Sequence, residues 1–199
     1  MIEIGVLSPP LLENRDYVHG TSILDGIVSL VGPLSELKFR LGKRAHSALT
    51  VFSVSDAEEG TERSKAVSTL KCMRLGQPTV YTIYATPGQT LTRITYDEDA
   101  CRHGSTLVGD TMFQEHAPPG YSCISRIVAL NKALLTEVTG QDSWLFVGLE
   151  LKQYPAQPKS IEISASLSGS SSRLVRSRIT LDDAHSGNIL FAVRPQKSD

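Results

Sequence analysis

Two short stretches carry the residue types and spacing that could do chemistry. "DEDACRHGST" (97–106) sets Asp97 and Asp99 ahead of His103-Gly104 and two hydroxyl residues. "RDYVHGTSIL" (15–24) sets Asp16 ahead of His19-Gly20 and again two hydroxyl residues. A carboxylate such as Asp99 can act as a general base, best when partly desolvated so that its proton affinity rises. His103 can orient a substrate or shuttle a proton. Asp16 and His19 repeat the pair with one residue fewer between them. The plainer reading is that an acid before His-Gly closes a turn, its carboxylate accepting backbone amide bonds. The recurrence can therefore mark a site used twice, a duplicated turn, or chance.

The other reactive side chains are poorer candidates. His46 reads as a surface residue, His116 as a loop residue before Ala-Pro-Pro-Gly, and His185 as part of a hairpin turn. No pair of them has metal-site spacing, so neither metal nor cofactor is expected. Cys101 lies inside the motif with nothing to lower its pKa. Ser105 and Thr106 lack the Gly-x-Ser-x-Gly context of an activated serine. In "RLVRSR" (173–178), alternation puts Arg176 and Arg178 on one face and Arg173 on the other. That is first a solvated strand face and only second a phosphate site. Trp144 and Phe146 read as core or interface packing.

The elements that must position these residues follow from periodicity. "MIEIGVL" is a strand stopped by Pro9-Pro10. In "TSILDGIVSLVG" (21–32), Ile23, Ile27, Leu30 and Val31 form a helical stripe, with Ser22 and Asp25 at capping-box spacing. Four strand candidates follow: "LKFRL", "SALTVFSV", "KAVSTLKCM" and "TVYTIYA". The acidic "SDAEEGTE" (55–62) is a solvated loop, and Leu75-Gly76-Gln77-Pro78 a turn. "TLTRITY" (90–96) opens a second cycle. "SCISRIVALNKALLTEV" (122–138) is the clearest helix, with Ile124, Ile127, Val128, Leu134, Leu135 and Val138 near one face and Gly140 to end it. Four more strands follow, "SWLFVGLEL", "SIEISASLS", "RLVRSRITL" and "NILFAVR", with "GSSS" and "DDAHSG" as turns. The chain thus reads twice as strand, helix and four strands, with His19 and His103 recurring at an offset of about 84 residues.

Composition narrows the class. The 199 residues are 40% hydrophobic and 21% charged, which supports a packed core and argues against disorder. The net charge of −1 with no basic block makes nucleic acid a poor partner. The apolar runs are too short to span a membrane, and "MIEIGVLSPP" lacks the basic start of a signal peptide. Three widely spaced cysteines, Cys72, Cys101 and Cys123, suggest free thiols in a reducing compartment, hence the cytoplasm.

The order of strand, long helix and antiparallel strands, written twice, resembles the hotdog superfamily in its double form. The resemblance implies an α+β fold, a tandem hotdog with two antiparallel sheets each wrapped around one helix. Residues 1–88 and 89–199 would be its repeats, packed as one compact unit. Asp99-Ala-Cys-Arg-His103 looks like the Asp-x-x-x-His stretch of the superfamily's acyl-CoA thioesterases, although Cys101 and Arg102 depart from it. The His-x-Phe-Pro-Gly stretch of the dehydratases is absent, and "ENRDYVH" retains only Asp16 and His19 of the hydratase pattern.

What the resemblance implies is a thioesterase, dehydratase or acyl-transfer enzyme with a carboxylate/His site at the repeat interface. Its catalytic residues would be Asp99, His103, Asp16 and His19. Gly104, Tyr121 and Ser122 would bind substrate, the start of the second helix supplying amides for a developing oxyanion. The substrate would be an acyl thioester of coenzyme A or a carrier protein, and the protein a monomer or homodimer. Two alternatives stand beside it. One is a non-catalytic acyl-binding or assembly module. The other is a sandwich or lipocalin-like barrel holding a small apolar ligand.

Overall fold

A computed structural model describes residues 1–13, 15–54, 65–155, 157–166 and 174–193. The loop expected at 55–62, the "GSSS" turn and Arg173 lie outside the described residues. The chain divides into two compact units. One comprises Met1–Asp97 with Glu150–Tyr154, and the other Glu98–Leu149 with Pro155–Asp199.

The first unit contains β1 (Ile2–Leu7), β2 (Leu11–Leu12), α1 (Gly20–Val31), β3 (Ser35–Leu41), β4 (Leu49–Val54), β5 (Ser68–Arg74), β6 (Gln77–Ala85) and β7 (Arg93–Ile94). Its strands run in the order β1-β4-β6-β5-β3. The paired strands are antiparallel. The β5–β6 hairpin turns on Leu75 and Gly76, both with positive φ, which leaves Gln77 and Pro78 inside β6. Helix α1 lies on β1 through two close approaches. A Cβ on Gly5 would stand 3.2 Å from Leu30, and one on Gly26 would stand 3.3 Å from Leu7. Gly5, paired with Val51, also ends a register shift against β4 in which Ile4 is the extra residue of a bulge. Ile23, Leu24 and Ile27 are wholly buried, each worth about 1.5–3 kcal/mol in apolar burial.

The capping box expected at Ser22 and Asp25 is not what starts α1. The helix begins three residues earlier than that box would place it, with His19 as cap and no side-chain capping bond. Asp25 instead accepts from the Tyr154 hydroxyl at 2.6 Å. "TLTRITY" also falls short of a full strand. Only Arg93–Ile94 pairs, parallel to Leu11–Leu12.

The second unit contains α2 (Glu98–Cys101), β8 (Ser105–Val108), β9 (Thr111–Gln114), α3 (Cys123–Thr139), β10 (Trp144–Gln153, through Leu149), β11 (Ile161–Ser166), β12 (Leu174–Leu181) and β13 (Ala184–Val193). Its strands run β10-β13-β12-β11-β9-β8. The paired strands from β13 to β8 are antiparallel. The Ser122 hydroxyl caps α3 by accepting from the Ser125 amide at 3.1 Å. Gly140 closes the helix in the left-handed region, at φ 68° and ψ 15°. The strict alternation along 161–166 is present, with Ile161, Ile163 and Ala165 buried.

Two expectations follow. Gly140→Ala places a Cβ in the left-handed region and should lower unfolding free energy by about 1 kcal/mol, read as a shifted urea midpoint at constant slope. On β5, burial pushes the Cys72 thiol from 9.0 up to about 11, partly opposed by the Arg74 charge. Its folded value lies above its unfolded one. Its contribution to stability is therefore complete below the unfolded value and falls as pH rises toward about 11. Thiol labelling of the native protein should show that late inflection, and an ordinary inflection near 9.0 would contradict it.

Candidate functional site

In the first unit, the member of the Asp16 and His19 pair that is buried is His19. Its approach is tied from one side by 44–46. The Val18 amide donates to the Ala45 carbonyl at 2.7 Å. The His46 Nδ1 lies 2.5 Å from the Asp16 carbonyl oxygen, and Arg44 stacks 4.7 Å from the Tyr17 ring centre. From the other side, the Leu11 amide donates to the Thr92 carbonyl at 2.9 Å, and Arg93 donates to the carbonyls of Glu13 and Arg15. His19 ends this strap as the buried N-cap of α1, its carbonyl accepting from the Ile23 amide. Its Nδ1 is 2.9 Å from the Thr21 hydroxyl, and its ring centre is 6.5 Å from that of Tyr96. The bond to Thr21 orients the imidazole through its Nδ1. The Asp16 side chain, by contrast, is exposed.

The second copy of the motif has different local structure. Asp99 lies in the four-residue α2, its side chain 81% exposed and its Oδ1 held by Arg102 at 2.7 Å. A carboxylate in water beside a guanidinium is the opposite of a desolvated base. His103 follows α2, exposed, and Gly104 turns the chain at φ 74°. In the first copy Gly20 is the buried opening residue of a 12-residue helix. The two copies therefore share letters but not conformation.

The interior uses this second copy through its backbone. The Gln114 Nε2 donates to the Cys101 carbonyl at 3.2 Å and the His103 carbonyl at 2.9 Å. Gln114 is 1% exposed and presents its Oε1 to the Nε of Arg126, 2.8 Å away in the first turn of α3. Arg126 is fully buried, and neither of its terminal nitrogens has a hydrogen-bond partner among the described residues. Burial lowers its pKa, opposed by the nearby thiols of Cys123 and Cys101. Glu98 anchors the same turn from outside through Lys132, at 3.0 Å.

Of the expected substrate-binding residues, Ser122 spends its hydroxyl on the cap of α3, Tyr121 is half-buried, and Gly104 is exposed. Arg176 and Arg178 do share a face, where with Ser166 and Asn188 they line an open groove of about 460 Å³. Arg178 Nε donates to the Nδ1 of His185 at 3.2 Å. Trp144 is buried, and Phe146 packs 5.9 Å from Phe191 between ring centres. Sequence reasoning missed Gln114 and Arg126. Gly109-Asp110 between short apolar runs could have announced the β8–β9 hairpin that carries Gln114. Nothing local distinguishes Arg126 from a surface arginine. Among the described residues, no cluster of three or more His, Cys, Asp or Glu could hold a metal ion. No helix among them is long and apolar enough to cross a membrane.

No protein-family model matches the chain, and no curated protein matches it by sequence. Solved structures do. A candidate thioesterase II from Thermobifida fusca YX is 9% identical at a TM-score of 0.50, covering 98% of this chain and 95% of that one. The tesB protein MAP1729c of Mycobacterium avium subs paratuberculosis is 8% identical at 0.48, covering 96% and 92%. A trans-AT PKS dehydratase domain from Brevibacillus brevis is 9% identical at 0.46, covering 96% and 93%. The chain has the hotdog fold, as the first of these likenesses shows along nearly its full length. At such identities the likeness concerns the fold alone.

The Gln114–Arg126 pair generates a sharp expectation. Gln114→Leu removes the acceptor that the Nε of a buried guanidinium uses and should cost about 3 kcal/mol or more. Gln114→Leu with Arg126→Met removes the charge as well and should recover most of that loss in urea unfolding. Equal stability of the single and double variants would contradict the burial of a charged Arg126.

Proposed function

We propose that the chain is a double hotdog that processes acyl thioesters of coenzyme A or a carrier protein, with His19 as its proton-transfer group. The observation that carries this reading is the burial of His19 at the start of α1, with Nδ1 tied to Thr21. The amides of the first turn of α1 are the natural donors to a thioester carbonyl, because a helix N-terminus offers unpaired N–H groups and a positive dipole end. In this reading the Asp16 segment shapes the approach to His19, and Asp99 with His103 closes the turn over Gln114. The reaction is hydrolysis, dehydration or acyl transfer, all of which need proton transfer at a polarised acyl carbonyl or beside it. The neighbours named thioesterase and dehydratase agree with this substrate class in name.

One observation favours a second reading, a non-catalytic acyl-binding module. Both acids of the paired motifs, Asp16 and Asp99, are exposed. Turnover separates the two. On a panel of acyl-coenzyme A thioesters, His19→Ala should lower kcat/KM by about 100-fold or more. Asp99→Asn and His103→Ala should change it by less than about threefold, as expected for groups outside the proton-transfer step. Saturable binding without turnover would move the assignment to the binding module. Unchanged turnover in His19→Ala would sink the role given to that residue.

A further inference from the structure

We infer that Arg126, positioned by Gln114, is the receptor for a carboxylate group of a ligand taken into the second unit. This site is separate from the role assigned to His19 and does not depend on it.

The first ground is an unmatched charge. Arg126 is 0% exposed, and both terminal nitrogens lack a hydrogen-bond partner among the described residues. An arginine keeps its proton, so burial leaves a cation whose desolvation is unfavourable unless something compensates. Among the described residues, the titratable neighbours acting on it are Cys123 and Cys101, whose Coulombic effect opposes that of burial. Gln114 contributes a dipole, not a charge.

The second ground is geometry. Gln114 Oε1 takes the Nε of the guanidinium, while its own Nε2 is fixed by the carbonyls of Cys101 and His103. The side chain is thereby held from one edge, leaving its two terminal nitrogens as a fork. Such a fork fits two oxygens of one planar group, the bidentate geometry in which arginine binds carboxylates best.

The third ground is charge balance, which selects among anions. In a buried setting a single negative charge neutralises the guanidinium. A phosphate dianion would leave a net buried negative charge with its own desolvation cost. The 98–104 turn, fastened by Gln114 and by Glu98 with Lys132, belongs to the same hydrogen-bonded cluster. This gives the second His-Gly stretch a structural task that its exposed side chains do not.

The carboxylate can belong to a free acid or to an acyl thioester with an acid at its far end. The test uses the full chain in chloride-free buffer, with calorimetric titration of butyrate, butyramide, succinyl-coenzyme A and butyryl-coenzyme A. A preference of tenfold or more for butyrate over butyramide, or for succinyl- over butyryl-coenzyme A, is expected. Arg126→Met should abolish it. Arg126→Lys keeps a charge but loses the fork, and should weaken the preference about tenfold even if Arg126→Met does not fold. Butyrate preference without any coenzyme A binding would leave this site standing while removing the coenzyme A form of the thioester reading. A preference only in the coenzyme A pair supports the site and names the tethered acid as its ligand. No preference in either pair, or one that survives unchanged in Arg126→Lys or Arg126→Met, overturns the inference. Chloride binding Arg126 as tightly as butyrate does overturns it too.

Discussion

A buried guanidinium must be matched, and much of the second unit follows from that requirement. Arg126 cannot shed its proton, and taking it out of water costs several kcal/mol. Gln114 meets one edge of it and reaches back to the carbonyls of Cys101 and His103. Three pieces that follow one another within residues 98–126, the α2 turn, strand β9 and the first turn of α3, become one hydrogen-bonded cluster. Around them the core is apolar, with Ile124, Ile127, Leu130, Leu134, Ile163 and Ile179 all buried. A polar network inside such a core is consequential because any unmatched member is expensive.

Each unit places a distinctive polar residue at the start of its long helix, and the two differ in kind. His19 caps α1 through its backbone and directs its ring toward Thr21 and Tyr96. Arg126 sits inside the first turn of α3, with Ser122 doing the capping. An imidazole can exchange protons near neutral pH, whereas a guanidinium is a fixed charge with fixed directions. The first suits proton transfer and the second suits holding an anionic group. This division follows from side-chain chemistry and burial.

Periodicity made the scaffold legible. Ile161, Ile163 and Ala165 alternate because one face of β11 is buried, and Ser122 with Gly140 bounds α3 through standard cap chemistry. The wide burial of α3 is where pattern reading failed. An amphipathic stripe predicts a polar side facing water, yet Arg126 and Asn131 are both 0% exposed because neighbours cover more than one side of the helix. The start of α1 was misplaced because Ser22 and Asp25 have capping-box letters, while the strap through Val18 and Asp16 delivers His19 to the cap position. The site was half legible for a related reason. His19 stood out by type, but exposure of Asp16 and Asp99 depends on tertiary packing that spacing alone does not encode. Gln114 and Arg126 are joined only by the fold.

The most direct measurement of the central claim is the nitrogen-detected NMR spectrum of the Arg126 side chain in the folded protein, with and without a short carboxylate. A buried fork receiving that group gives slowly exchanging terminal N–H signals that shift on addition, while the Nε signal stays anchored by Gln114. Terminal protons exchanging as fast as those of a surface arginine, with no response to the carboxylate, would contradict the account.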